Sequence, residues 1–265
     1  MKKYLVVGNP IEHSLSPALH NYWIKKNNID AIYEKKKIEQ HELKNLVLQV
    51  KEKKISGINV TVPFKKIIIP YLDELSKEAQ KTQSVNTVYM DKNKTIGHNT
   101  DIEGFEYSIK ESKFNVAKKE ILILGAGGVV SSLIFTLLKM NVSKITLSNR
   151  TRENAEILKK LFNNLIILDW GKITNFDMII NATSIGLKKD DKINLDFSEV
   201  GDDKFFYDVI YNPKETDFLR KGRELKNKIE NGKKMFIYQA SAAFKIWHGI
   251  QPIIDDQVLK IFNND

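Results

Sequence analysis

No cysteine occurs among the 265 residues. That excludes disulfides, thiolate zinc sites and cysteine nucleophiles, and it agrees with a reducing cytoplasm. No secretory signal is expected either, because Lys2 and Lys3 are followed only by a short apolar strand, Tyr4 to Val7. Repeats and low-complexity linkers are lacking. The five histidines show no paired spacing suited to a metal, so no metal is expected. Zinc fingers, RNA-binding aromatic motifs and basic helices are also missing. The net charge of +9 therefore does not by itself argue for nucleic acid. Its lysines are interleaved with glutamates, as in Lys118-Lys119-Glu120 and Glu224 to Glu230, which describes a solvated surface whose field attracts anionic ligands.

What the chain does have is concentrated at residues 121–151. An apolar strand, Ile121 to Leu124, meets Gly125-Ala126-Gly127-Gly128, then an apolar helical stretch, then a strand from Lys144 to Ser148 and Asn149-Arg150-Thr151. Glycines let the backbone turn tightly and approach a pyrophosphate, and a helix N-terminus presents free N–H groups to it. The acidic residue that holds an NAD ribose is missing after the second strand. Arg150 stands there, 25 residues after Gly125, near the ~20 of the fingerprint, with Arg152 close by. An arginine suits the 2′-phosphate of NADP, so the cofactor expected is NADP(H). The uncharged run Ile121 to Leu138 has the length of a membrane span. Gly125, Gly127, Gly128, Ser131 and Ser132 interrupt it, and no membrane association is expected.

Alternating strands and helices fill the N-terminal part. Strands are expected at Tyr4–Val7, Ile32–Lys37 and Ile58–Val62, with a hairpin of Val85–Met90 and Thr95–His98. Helices are expected at Pro17–Asn27 with Ser16 as its cap, at His41–Lys53, at Ile67–Leu75 and from Asp101 to about Lys113. From Glu120 the strand–helix alternation implies a parallel sheet, with later strands at Met178–Asn181 and Phe205–Val209. Lys188 to Asp203 reads as a loop. Met235–Tyr238 reads as a short apolar stretch, and Gln239–Ile250 and Asp255–Phe262 as closing helices.

Four polar clusters fall at ends of apolar strands, where ligands bind in open α/β sheets. They are His13-Ser14-Leu15-Ser16-Pro17, Asn59 to Lys66, Ser84-Val85-Asn86-Thr87 and Gly97-His98-Asn99-Thr100-Asp101. Each also has a plain reading: helix capping for the serines and Asp101, solvation for Lys65 and Lys66. Together, one lysine and one aspartate make a workable acid–base pair for interconverting a carbonyl and an alcohol. His98 is as readily structural and is left out of the site.

The ordered motifs HSLSP, NVTVPFKK, SVNT, GHNTDIEGF, GAGG and NRT, followed by DMIINATSIGL (177–187), YDVIYNPKET (207–216) and MFIYQASAAFKIWHG (235–249), resemble the shikimate dehydrogenases over about residues 4–252. The resemblance implies two α/β domains: a substrate-binding domain (1–101 plus 235–265) and a Rossmann-like NADP-binding domain with a mainly parallel sheet (102–234). The C-terminal helices return to the first. It implies reversible reduction of 3-dehydroshikimate to shikimate by NADPH, a step toward chorismate and the aromatic amino acids. Lys65 and Asp101 match the catalytic pair. Ser14, Ser16, Thr61, Asn86, Asp101, Tyr211 and Gln239 match substrate contacts, with Asn59 nearby. Gly125, Ala126, Gly127, Gly128 and Val129 match the pyrophosphate loop, Asn149, Arg150 and Thr151 the 2′-phosphate site, and Val209 and Gly232 the nicotinamide side.

Departures from the family pattern are Gln83-Ser84, where Gly-Ala usually precedes Val-Asn-Thr, and Val129 and Ser131, where a small residue and often an arginine follow the glycine loop. The bulkier Gln83 is expected to alter the local turn, and Val129 and Ser131 leave more of the phosphate recognition to Arg150. Expected partners are small molecules, with a homodimer as the assembly to test. Two alternatives stay open. One is a quinate/shikimate dehydrogenase of broader specificity, whose members tend to carry an acidic residue at Asn149-Arg150. The other is a ligand-binding sensor, which should lack Lys65 or Asp101.

Overall fold

The computed structural model describes residues 1–188 and 190–262. The chain divides into two compact units, Met1–Gly104 with Ile237–Asp265, and Phe105–Phe236. Lys189, inside the expected loop, and residues 263–265 lie outside the described residues.

The first unit begins with β1 (Lys2–Gly8), α1 (Ser16–Lys26), β2 (Ala31–Lys37), α2 (Leu43–Lys51), β3 (Gly57–Val60), β4 (Glu74–Leu75), α3 (Lys77–Thr82), β5 (Thr87–Asp91) and β6 (Lys94–His98). The sheet order is β2-β1-β3-β5-β6-β4. β1 pairs parallel with β2 and β3, and β5 runs antiparallel to β3 and β6. Alternation along the strands sends Leu5, Val7, Ile58, Val60 and Val88 to one face, against Leu43, Leu46, Val47 and Val50 of α2. Tyr4 and Tyr33 face the other side and meet the aromatic residues of α1 and of the C-terminal helices.

Several local expectations are corrected. α1 starts at Ser16 itself; Leu15 holds the cap position, and its side chain makes no capping hydrogen bond. β3 stops at Val60, before Pro63, which has no N–H for a ladder. Ile67–Leu75 is not a helix. Turns that run through Ile67 and Ile68 lead into a 3₁₀ segment at Ile69–Tyr71 around Pro70, followed by the two-residue β4. His41–Lys53 is divided into a 3₁₀ turn, Gln40–Glu42, and α2.

α4 (Asp101–Ser112) carries the chain into the second unit. There β7 (Glu120–Leu124), α5 (Val130–Lys139), β8 (Lys144–Ser148), α6 (Arg152–Leu161), β9 (Leu165–Leu168), β10 (Met178–Asn181), β11 (Phe205–Asp208), α7 (Asp217–Glu224) and β12 (Lys228–Glu230) follow. All pairings are parallel, and the strand order is β12-β11-β10-β7-β8-β9. Counted within this unit, that is the 3-2-1-4-5-6 order of doubly wound dinucleotide folds. Both faces are covered, which explains the continuous apolar strands. Ile121, Ile123, Met178, Ile180, Phe205 and Tyr207 face α4, α5 and α6. Leu122, Leu124, Ile179 and Phe206 face α7 together with Ile193, Leu195 and Phe197. The polar segment expected as a loop thus lends three buried side chains to the core.

The chain closes with α8 (Lys233–His248) and α9 (Asp256–Lys260). α8 is one continuous helix where the sequence suggested an apolar stretch and then a helix. Among the described residues no helix is long and apolar enough to cross a membrane.

Candidate active site

In the first unit, β3, β5 and β6 bring three of the polar motifs side by side. β3 leads into the segment that carries Lys65. Phe64, 2% exposed, anchors this segment in the core, and the carbonyl of Lys65 accepts from the N–H of Val85 at 2.8 Å. Asp101 is the first residue of α4, and its N–H donates to Oδ1 of Asn99 at 3.1 Å. The Lys65 ammonium then donates to Oδ2 of Asp101 at 2.5 Å. Both residues are buried, at 9% and 5% exposure, so the lysine is not the solvated residue that its type suggests.

The other carboxylate oxygen, Oδ1, accepts from Nδ2 of Asn86 at 2.9 Å. That amide is fixed by its other end, because Oδ1 of Asn86 accepts from the N–H of Thr100 at 2.8 Å and from the hydroxyl of Thr87 at 3.0 Å. Nδ2 of Asn86 also lies 3.4 Å from Oε1 of Gln239 on α8. Asn59 donates to the carbonyl of Asn86 and to Oγ1 of Thr87, each at 3.0 Å. Ser14 precedes α1, and its Oγ accepts from the N–H of Ser16 at 3.3 Å. Thr61 extends β3 and donates its N–H to the carbonyl of Val7 at 2.9 Å. The structure therefore links Asn59, Lys65, Asn86, Asp101 and Gln239 through hydrogen bonds, while Ser14 and Thr61 stand at loop positions and Ser16 opens α1. His98 hands its carbonyl to the N–H of Asn86 at 3.1 Å, and burial holds its imidazole below its ordinary range.

In the second unit, the glycine loop lies at the C-terminal end of β7, beside β10, where the strand order reverses. Gly125 has φ +106°, and a Cβ there would come within 2.7 Å of the Ala182 carbonyl oxygen, so only glycine fits this turn. Around Gly127 an added Cβ would meet only that carbonyl, at 4.0 Å. This open cradle suits an approaching pyrophosphate. Ala126, Gly128 and Val129 complete the loop, and Val129 is the cap residue of α5. Ser131 is fully buried and its hydroxyl has no hydrogen-bond partner among the described residues.

At the end of β8, Nδ2 of Asn149 donates to the carbonyl of Thr151 at 2.7 Å and shapes the turn. Arg152 is committed to Asp169 at 2.5 Å and Glu156 at 3.4 Å. Arg150 is exposed and makes no ion pair among the described residues. Of the two arginines, Arg150 is the one whose guanidinium is available to a phosphate.

Val209 and Gly232 also meet in this unit. A Cβ on Gly232 would lie 2.6 Å from the Val209 carbonyl carbon. The loop bearing Val209 is held by groups that sequence reasoning missed. Nδ2 of Asn181 donates to both carboxylate oxygens of Asp208 at 3.1 Å, and the Thr216 hydroxyl and the Ile210 N–H donate to the same carboxylate at 2.7 and 2.9 Å. Burial pushes the Asp208 carboxyl up to about 6, against these three donors. Tyr211 belongs to this unit and packs on Phe236 with ring centroids 4.6 Å apart. The other sequence-matched substrate contacts belong to the first unit.

A parallel sheet of this order with its glycine turn, in a chain that also carries a buried Lys–Asp pair, defines a dinucleotide-dependent oxidoreductase. Residues 6–88 match the shikimate dehydrogenase substrate binding domain, and residues 108–194 match the shikimate / quinate 5-dehydrogenase family. A shikimate dehydrogenase (NADP(+)) from Pelagibacter ubique is 55% identical over 262 residues, covering 99% of each chain. The crystal structure of shikimate dehydrogenase from Aquifex aeolicus superposes with a TM-score of 0.91 at 37% identity, over 100% of this chain and 98% of that one. The Thermus thermophilus shikimate 5-dehydrogenase in complex with NADP(H) and shikimate gives 0.89 at 29% identity, over 99% of each. The chain belongs to the shikimate dehydrogenase family.

Proposed function

We propose that this protein catalyses the reversible reduction of 3-dehydroshikimate to shikimate with NADPH, and that Lys65 and Asp101 carry its proton chemistry. The observation behind the Lys–Asp assignment is the 2.5 Å contact between Nζ of Lys65 and Oδ2 of Asp101, two buried side chains from separate motifs. NADPH, when bound, supplies the hydride that reduces the ketone carbon. Lys65 stabilises the negative charge growing on the ketone oxygen and gives it a proton, so that the ketone becomes an alcohol. Asp101 orients the ammonium and accepts from a ring hydroxyl. Ser14 and Ser16 hold the substrate carboxylate. Asn86 and Gln239 hold the ring hydroxyls, with Thr61 and Tyr211 as further substrate contacts and Asn59 nearby, and a rigid ring held this way presents one face to hydride.

Gly125, Ala126, Gly127, Gly128 and Val129 hold the pyrophosphate of the cofactor, Asn149, Arg150 and Thr151 its 2′-phosphate, and Val209 and Gly232 its nicotinamide end. The open space at Gly127 and the uncommitted Arg150 support this reading. The domain roles follow: residues 1–101 with 235–265 bind substrate, and residues 102–234 bind NADP. The protein works in the cytoplasm, consistent with its lack of cysteine, and as a homodimer, which sedimentation of the purified protein tests.

The family description that includes quinate keeps a broader substrate range as the second reading. One assay separates them: purified protein with shikimate or quinate, and NADP⁺ or NAD⁺, followed by the absorbance of reduced nicotinamide. Turnover confined to shikimate with NADP⁺ supports the first reading. Comparable rates with quinate and NAD⁺ support the second, and no turnover of either substrate removes both.

A further inference from the structure

We propose that Tyr33, on the edge strand β2, is a positioning residue for the substrate end of the reaction; the proposal rests on the functional reading above. Tyr33 is 1% exposed, and α1 grips it at two places. The Tyr33 backbone would be bare on the outer side of an edge strand, but Asn21 covers it. Nδ2 of Asn21 donates to the Tyr33 carbonyl at 2.8 Å, and Oδ1 accepts the Tyr33 N–H at 2.9 Å. From the adjacent position, the imidazole of His20 stacks on the Tyr33 ring, with centroids 4.2 Å apart and planes within 2°.

So held, the phenol has one outlet. It donates to Oδ1 of Asn59 at 2.6 Å. An amide whose oxygen is taken this way must turn its NH₂ group the other way, and Nδ2 of Asn59 duly donates to the carbonyl of Asn86 and the hydroxyl of Thr87. Asn86 next directs its own NH₂ onto Asp101, the partner of Lys65. A single phenol therefore fixes, through Asn59 and Asn86, the carboxylate that holds the ammonium. Neutral side chains carry the chain of donors from Tyr33 to Asp101, so its direction does not change with pH across the neutral range.

The test is Tyr33→Phe, which keeps the stacked ring and deletes only the hydroxyl. Wild type and variant are compared for shikimate oxidation with NADP⁺, with melting temperature as a check on folding. The expected result is a fall of about tenfold or more in kcat/KM for shikimate, the scale of losing one buried hydrogen-bond donor. KM for NADP⁺ stays within about twofold, a split that general loosening of the protein would not give. In the Asn59→Ala background the same change should cost little more, because Tyr33 acts through that amide. Wild-type kinetics in Tyr33→Phe, or fully additive losses in the double variant, overturn the proposal. Should Tyr33→Phe not fold, a fluorinated tyrosine placed at 33 keeps ring and hydroxyl but alters donor strength. It must then shift kcat/KM for shikimate without moving KM for NADP⁺, and no shift overturns the proposal. A wild type inactive on shikimate removes the functional reading and this proposal together; an active wild type with an indifferent variant removes only this one.

Discussion

Replacing His20 by phenylalanine is expected to remove a large part of the acid sensitivity of the first unit. His20 is 1% exposed, and neither ring nitrogen has a hydrogen-bond partner among the described residues. Its neighbours are the rings of Tyr33, Trp23, Trp247 and Phe244, at 4.2, 5.7, 5.6 and 6.1 Å. Burial, with a smaller contribution from His248, pushes its imidazole from 6.5 down to about 3. Below pH 6.5 the unfolded chain takes up a proton that the folded chain refuses. The stability from the neutral buried ring is thus fully present above pH 6.5 and is lost as pH falls toward 3. At pH 4.5 the loss is roughly two pH units of linkage, ~2.7 kcal/mol. For a chain of this size that corresponds to about 5–10 °C of melting temperature.

Phenylalanine does not titrate. Any packing strain from its larger ring, ~1–3 kcal/mol, acts equally at both pH values. The informative quantity is the difference in melting temperature between pH 7.5 and 4.5, wild type against variant. Tryptophan fluorescence suits the measurement, because Trp23 and Trp247 pack against this histidine. His248, whose imidazole is also pushed down, to about 4, is common to both proteins and cancels. Equal acid losses in the two proteins would refute the reasoning.

Arg150→Ala should raise KM for NADPH far more than KM for NADH, because Arg152 is already paired with Asp169 and Glu156; equal changes for the two cofactors would remove Arg150 from 2′-phosphate recognition. Gln83→Gly should stabilise by up to ~1 kcal/mol, since Gln83 ends α3 at φ 49°, a left-handed conformation that costs a residue with a Cβ about 1–2 kcal/mol; a lower melting temperature for the variant would contradict this.

The parts of the fold most legible in the sequence were those where one physical requirement dominates. The glycine turn after Ile121–Leu124 needs a positive φ and an open approach, and few other sequences supply both. Buried parallel strands such as Met178–Asn181 announce themselves as short apolar runs. Polar groups clustered at strand ends pointed to Lys65, Asn86 and Asp101, which the structure joins by hydrogen bonds. What escaped depends on tertiary contact. Tyr33 reads as one more strand residue until α1 is packed over it, and Asp208 reads as a strand end until Asn181 and Thr216 converge on it. Gln83 adopts a left-handed conformation at the end of α3, a cost invisible without coordinates. The stretch 67–75 has helical apolar spacing, but Pro70 has no N–H to continue a helix, so the chain forms turns and a 3₁₀ segment instead.

The central claim is that the Lys65 ammonium, held by Asp101, supplies the proton of the reduction. Its most direct test is the steady-state rate of 3-dehydroshikimate reduction by NADPH in Lys65→Ala. The expected outcome is a kcat lower by roughly 10²–10⁴, as for loss of a general acid, with a much smaller change in KM. A kcat close to that of the wild-type protein would contradict it.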